Sequence, residues 1–227
     1  MKQIINKIFI MGMVLVPSLM FGQTFNQSDA NGMKQGKWTK NYSNGVPRYE
    51  GQFKNDHPYG EFKYYYESGA LKAITRFSTD GIVAHTRTFH ENKQPMAEGK
   101  YIRQKKDSIW LFYSDVDGKL ISSETYKKGV LDGISKTYYP DNGNVAESTA
   151  YKNGLKEGEY RKYFPEGGIM TEGRYVNNEL HGDFTLYFPN GKIQIKGKYN
   201  NGRQVGNWEY FDEDGNAVSE EEYKNGE

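Results

Sequence analysis

The chain has 227 residues, enough for one large domain or two small ones, and its 36% hydrophobic content is too low for a helical globule rich in Leu and Ala. An aromatic content of 15%, with 19 Tyr and 26 Gly, favours many short aromatic strands separated by glycine turns. With Lys2 and Lys7 set aside, 28 basic side chains face 29 acidic ones, so the net basic field of a nucleic-acid binder is missing; zero Cys excludes a disulfide framework, a thiolate metal site and a lipid-modified leader.

Residues 1–22 read as a secretory signal peptide. Lys2 and Lys7 form the basic start, Ile8 to Leu19 an apolar run, and Met20-Phe21-Gly22 the end before Gln23. The run is short for a membrane span, although an uncleaved anchor is the competing reading. The expected location is periplasmic, extracellular or outer-surface.

Residues 23–35 are polar and end in Asn31-Gly32-Met33-Lys34-Gln35, the tail of a repeat, which predicts an N-terminal cap or half-repeat. The array then covers 36–227. Units open at Gly36, Gly60, Ser108, Gly133, Gly158, Gly182 and Gly206, and a degenerate copy starts near His85 and runs to Asp107. The period of about 22–25 residues falls in the range of repeat arrays. The unit from Gly182 predicts a strand over Asp183 to Phe188 and a type I′ turn at Asn190-Gly191. An alternating strand through Ile193, Ile195, Gly197 and Tyr199 follows, then a second turn at Asn201-Gly202. The degenerate copy has no Asn-Gly turn and is expected to form a kink or irregular joint.

Three columns are aromatic when the units are aligned. The third residue is Trp38, Phe62, Trp110, Ser135, Tyr160, Phe184 and Trp208; the sixth is Tyr65, Tyr113, Tyr138, Tyr163, Tyr187 and Phe211, with Asn41 as the exception. Late in the second strand stand Phe53, Phe77, Tyr126, Tyr151, Tyr175, Tyr199 and Tyr223. Held at one register, such rings form cross-strand ladders worth about 0.2–1 kcal/mol per pair. Gly51, Gly99, Gly173 and Gly197 precede the late aromatic by two residues, where a missing side chain lets a ring lie across the backbone or the strand bend. The predicted fold is all-β: an elongated, twisted, single-sheet antiparallel β-hairpin repeat solenoid of about 14–16 short strands.

The stretch Tyr49-Glu-Gly-Gln-Phe-Lys-Asn-Asp-His-Pro-Tyr-Gly-Glu-Phe and its counterparts from Glu172 and Lys196 resemble the MORN repeat, in the bacterial variant often labelled a toxin–antitoxin antitoxin. The resemblance covers about Asn31 to Glu227. It implies a β-hairpin array that offers a binding or scaffolding surface and has no chemistry of its own. Export sits poorly with neutralising a cytoplasmic toxin, so an antitoxin-like role would need an exported partner.

The residues carry no catalytic pattern. His57, His85, His90 and His181 lack a repeated carboxylate spacing, and His-Glu-x-x-His, Gly-x-Ser-x-Gly and phosphate loops are missing. Asp115-Val-Asp117-Gly118 and Asp212-Glu-Asp214-Gly215 look like calcium loops only in part, because Tyr113 and Tyr210 occupy the preceding ligand positions. Glu220-Glu221-Glu222 offers acids without a unique constellation for glycoside hydrolysis. The sequence therefore predicts a protein that is no enzyme and has no cofactor and no metal, an exported scaffold binding a partner along an aromatic groove. The expected partner-binding residues are Tyr138, Tyr163, Tyr175, Tyr187, Tyr199 and Trp208. An envelope or secreted protein is the first expected partner, with cell-surface glycan the alternative; lipid headgroups rank behind both, because the balanced charge offers no basic face.

Overall fold

The structure, a computed structural model, describes residues 24–225. The expected signal peptide lies outside the described residues. The chain opens with β1 (Gln27–Ser28), β2 (Lys34–Asn41), β3 (Pro47–Lys54), β4 (His57–Tyr65), β5 (Leu71–Phe77), β6 (Val83–Phe89) and β7 (Pro95–Ile102). There follow β8 (Lys105–Tyr113), β9 (Leu120–Lys127), β10 (Val130–Leu131), β11 (Gly133–Tyr138), β12 (Val145–Lys152) and β13 (Leu155–Tyr163). The last elements are β14 (Ile169–Val176), β15 (Glu179–Leu180), β16 (Gly182–Tyr187), β17 (Ile193–Asn200), β18 (Arg203–Phe211), β19 (Ala217–Val218) and a helix, α1 (Glu220–Asn225).

Each strand pairs antiparallel with its neighbours in sequence, giving one open meander from β1 to β19. The pieces β10 and β11 both border β9, and β15 and β16 both border β14, so each pair is one strand broken at Asp132 or His181. These breaks and the short terminal strands raise the count to nineteen.

Two turn types alternate. Between the strands of the hairpin from Gly182, Gly191 N–H donates to Phe188 O at 2.9 Å and Phe188 N–H to Lys192 O at 2.8 Å. φ is positive at Gly191 (82°) and not at Asn190, so this is a three-residue loop closed by a left-handed glycine, not the expected type I′ turn. The type I′ geometry belongs to the connection between hairpins, where Asn201 (φ 48°) and Gly202 (φ 74°) both sit left-handed. Asn190 serves a different purpose: its Nδ2 donates to Glu213 O one repeat away, as Asn44 does to Glu67 O and Asn142 to Pro165 O. These bonds lace the hairpin tips along one margin of the sheet. In the degenerate copy Lys93 (φ 72°) takes the left-handed position, and β6 and β7 pair from Val83↔Ile102 to Phe89↔Pro95 as an ordinary hairpin. The predicted irregular joint is thus a continuous part of the ladder.

Alternation along the strands separates a ring face from a charged face. On the ring face the third residue of each unit and the late aromatic meet edge to face: Trp38–Phe53 (5.9 Å), Phe53–Phe62 (5.2 Å), Phe62–Phe77 (5.2 Å), Phe184–Tyr199 (5.2 Å) and Tyr199–Trp208 (5.3 Å). Such contacts contribute about 0.5–1.5 kcal/mol each beyond area burial. Phe62 and Trp110 are only 2% exposed, deep for a single-layer sheet. They reach that depth because the next-door strand carries Gly51 or Gly99 beneath the ring. Where the following unit has no ring, the glycine is gone as well: Thr75 stands against Thr86 and Glu124 beside Ser135. Thr149 opposite Tyr160 departs from this rule, and there the Tyr160 ring leans on Tyr175 at 5.1 Å.

The array ends differently from the expected repeat. Tyr223 is not on a strand but on α1, with its ring 5.4 Å from Tyr210 and its hydroxyl accepting from Gln194 Nε2 at 2.7 Å. Ser219 starts the helix: Glu222 N–H donates to Ser219 Oγ at 3.1 Å, and Ser219 N–H donates back to the Glu222 carboxylate at 2.8 Å. This reciprocal cap closes the sheet end with a helical turn in place of another strand.

Candidate functional site

The six residues expected to bind a partner fall on opposite faces. Tyr175, Tyr199 and Trp208 belong to the ring face and are engaged in its edge-to-face contacts. Tyr138, Tyr163 and Tyr187 belong to the sixth-residue column on the charged face. The Tyr187 hydroxyl donates to Glu172 at 2.5 Å, and Tyr138 shares a hydrogen bond with Ser123 at 3.0 Å. The same column pairs Tyr65 with Glu50 and Tyr113 with Glu98 (2.6 Å). Where the hydroxyl is lost the acceptor is lost too: Phe211 has Lys196 over its ring at 5.4 Å. These contacts make the column part of the framework.

A different set of rings converges near the hairpin tips of the first units. Across the ring face one row runs Lys40, Tyr49, Tyr64, Ala73, Thr88 on five successive strands. Two tyrosines are followed by small residues, so the row steps down from a wall into a trough. Tyr42 and Tyr66, one repeat apart, close its tip side; their hydroxyls donate to the backbone oxygens of Tyr65 and Phe89, both at 2.8 Å, which fixes the rings. Arg48 lies over the Tyr42 ring at 5.9 Å and Lys72 over the Tyr66 ring at 5.2 Å. The result is an open groove of about 460 Å³, completed by Met96.

Its electrostatics differ from the rest of the sheet. On the charged face basic side chains find carboxylates, as in Arg76–Glu61 (3.1 Å), Lys196–Glu209 (3.0 Å) and Lys198–Asp183 (3.2 Å). Among the described residues Lys40, Arg48 and Lys72 have no carboxylate partner, and no acidic side chain lines the groove. Burial, then the neighbouring Tyr49, pushes the Tyr64 hydroxyl above its ordinary range, so it stays a neutral hydrogen-bond donor. The sequence signal for this site was the run Tyr64-Tyr65-Tyr66: Tyr64 enters the row, Tyr65 turns to the charged face and Tyr66 forms the rim. Among the described residues no three His, Asp or Glu side chains gather as a metal-holding group.

Comparison with known proteins bears on the repeat. No curated protein matches the chain. Among solved structures, the crystal structure of TarM is 22% identical with a TM-score of 0.31, covering 43% of this chain and 20% of that one. A second, of a mutant S. aureus TarM in complex with Fondaparinux, alpha-GlcNAc-glycerol and UDP, is 18% identical with a TM-score of 0.32, covering 53% and 22%. The chain spans about a fifth of the length of these proteins, and likeness at that level carries no argument. Residues 34–55, 58–78, 156–177, 180–201 and 204–225 match the MORN repeat variant, the first four segments each covering one hairpin of the ladder and the last covering β18, β19 and α1. The chain belongs to the MORN repeat variant family.

Proposed function

We propose that the chain is an exported, non-enzymatic scaffold that takes an envelope or secreted protein into the tyrosine-lined groove of its first units. The observation that carries this reading is the groove's composition: fixed Tyr rings beside Arg48, Lys40 and Lys72, cations without a carboxylate partner among the described residues. Tyr and Arg supply most of the binding energy where proteins meet, because each offers a large contact area with polar ends. Repeats of this family serve generally as protein- or membrane-binding modules, which agrees with a surface role. The small floor residues Ala73 and Thr88 leave room for an inserted side chain.

The test offers the immobilised chain an envelope extract, cell-surface glycan and anionic vesicles in parallel. The proposal expects one stoichiometric protein, retained by the native chain and released by Lys40→Glu, Arg48→Glu and Lys72→Glu together. Retention on glycan or vesicles with no protein enriched overturns it.

A further inference from the structure

The charged face is interrupted at one place. The second residue of each unit pairs across its hairpin with a partner on the next strand, and in most hairpins that pair is polar: Lys37↔Gln52, Glu61↔Arg76, His85↔Lys100, Glu159↔Arg174, Asp183↔Lys198. In the two adjacent central hairpins the same position holds Ile109↔Thr125 and Ile134↔Ala150. Ile109 is 60% exposed and Ile134 44% exposed, so these side chains are not there to fill a core. In the row alongside, Leu111, Ser123 and Ser148 leave Lys136 as the sole charge across those strands. The segment between the matched repeats, residues 79–155, contains this whole patch. On the ring face Trp110 keeps the pattern, over Gly99 and edge-on to Tyr101 at 4.8 Å, whereas Ser135 beside Glu124 departs from it. On the outward face the change leaves two exposed isoleucines, which do not serve folding.

The patch continues into an open groove of about 740 Å³ on its N-terminal side. The floor is apolar, with Ile74, Phe89 and Leu111, since this unit has Phe89 in place of the column's tyrosine and Ile74 in place of its acceptor. The rim is basic, with Arg76, His85, Arg87 and Lys100 against one lining carboxylate, Glu98. Glu98 is already held by the Tyr113 hydroxyl at 2.6 Å and by Arg87 at 3.6 Å. Arg76 reaches outward to Glu61 (3.1 Å), an exposed pair that an incoming carboxylate can replace at little cost, and Lys100 lies 3.9 Å from the half-buried Asp107. His85 stands between Arg76 and Lys100 on adjacent strands, with no hydrogen bond or ion pair among the described residues.

We infer that this face is a second docking surface, for a protein segment that sets an apolar anchor on Ile109 and Ile134 with carboxylates beside it over Arg76, Arg87 and Lys100. An apolar, charge-depleted centre with a basic flank calls for that complement, and exposed apolar patches of this kind mark interaction sites. The surface lies on the opposite face from the tyrosine groove and stands without it.

The test selects peptides from a random phage-displayed library on the chain. Enriched peptides should combine Asp or Glu with large apolar residues. Their binding should fall by about tenfold or more in Ile109→Asp/Ile134→Asp and in Arg87→Glu/Lys100→Glu, and be unchanged by Lys40→Glu/Arg48→Glu/Lys72→Glu. Because both isoleucines are exposed, these variants should melt like the parent; Ile109→Thr/Ile134→Thr keeps strand propensity and repeats the test if they do not. Enrichment without acids, or binding indifferent to the isoleucines, overturns the inference. Self-association in sedimentation that Ile109→Asp abolishes overturns it also, and assigns the patch to a second copy.

Discussion

The indole of Trp110 rests on the backbone of Gly99: a Cβ on that glycine would lie 2.4 Å from the ring, closer than any real contact allows. Gly99→Ala should therefore destabilise the array by about 1–3 kcal/mol through overpacking. In a Trp110→Ala background the same change should cost close to nothing, since the ring that needs the space is gone. A double-mutant cycle by urea denaturation measures the coupling. The chain contains the natural counterpart in Glu124 beside Ser135, where no ring arrives and no glycine is kept.

The tryptophans of the third-residue column are not equivalent. Trp110 Nε1 donates to Lys100 O at 3.0 Å, whereas Trp208 Nε1 is buried without a partner among the described residues. Trp110→Phe breaks a hydrogen bond and strands an acceptor; Trp208→Phe removes an unsatisfied donor. The first should cost about 1–2 kcal/mol more than the second in matched melts.

Alkaline pH should loosen the sheet through its tyrosines. Burial, and after it the hydrogen bond to Glu98, pushes the Tyr113 hydroxyl up to about 12. A folded-state value above the ordinary one of about 10 means the folded chain holds the proton more tightly. That contribution is complete below about pH 10 and is lost as pH rises through about 12. Denaturation midpoints should fall across this window, and Tyr113→Phe should flatten the slope. Phenolate absorbance should place part of the titration above the free-tyrosine range.

Much of the architecture was legible because the repeat shows each position several times over. The ring columns, the strand glycines and the array from Gly36 onward follow from alternation and spacing. Turn type was harder: Asn190-Gly191 and Asn201-Gly202 look alike as dipeptides, yet only the second joins strands in register for a two-residue loop. The C-terminal helix had a signal that the repeat concealed, since Ser219-x-x-Glu222 is a capping box and Tyr223 also fits the aromatic column. The candidate site was least legible. The alignment singles out rings recurring at fixed positions, and those are the ones the framework uses. The groove forms instead where Tyr64 and Tyr49 border the small residues Ala73 and Thr88, a relation between strands that periodicity does not reveal.

Within the groove, charge and rings should separate. Lys72→Glu should slow association and make it less sensitive to salt, because an exposed cation acts mainly on encounter. Tyr66→Phe breaks the bond to Phe89 O and frees the ring, and should speed dissociation about tenfold. Surface plasmon resonance at two salt concentrations distinguishes the two effects.

The most direct test of the groove is site-specific photo-cross-linking in the envelope. A photoreactive phenylalanine analogue at position 72, on the groove rim, should yield one dominant protein adduct. The same analogue at position 198, exposed on the other face, should yield none. Adducts from position 198 with none from position 72 would contradict a partner seated in the tyrosine groove.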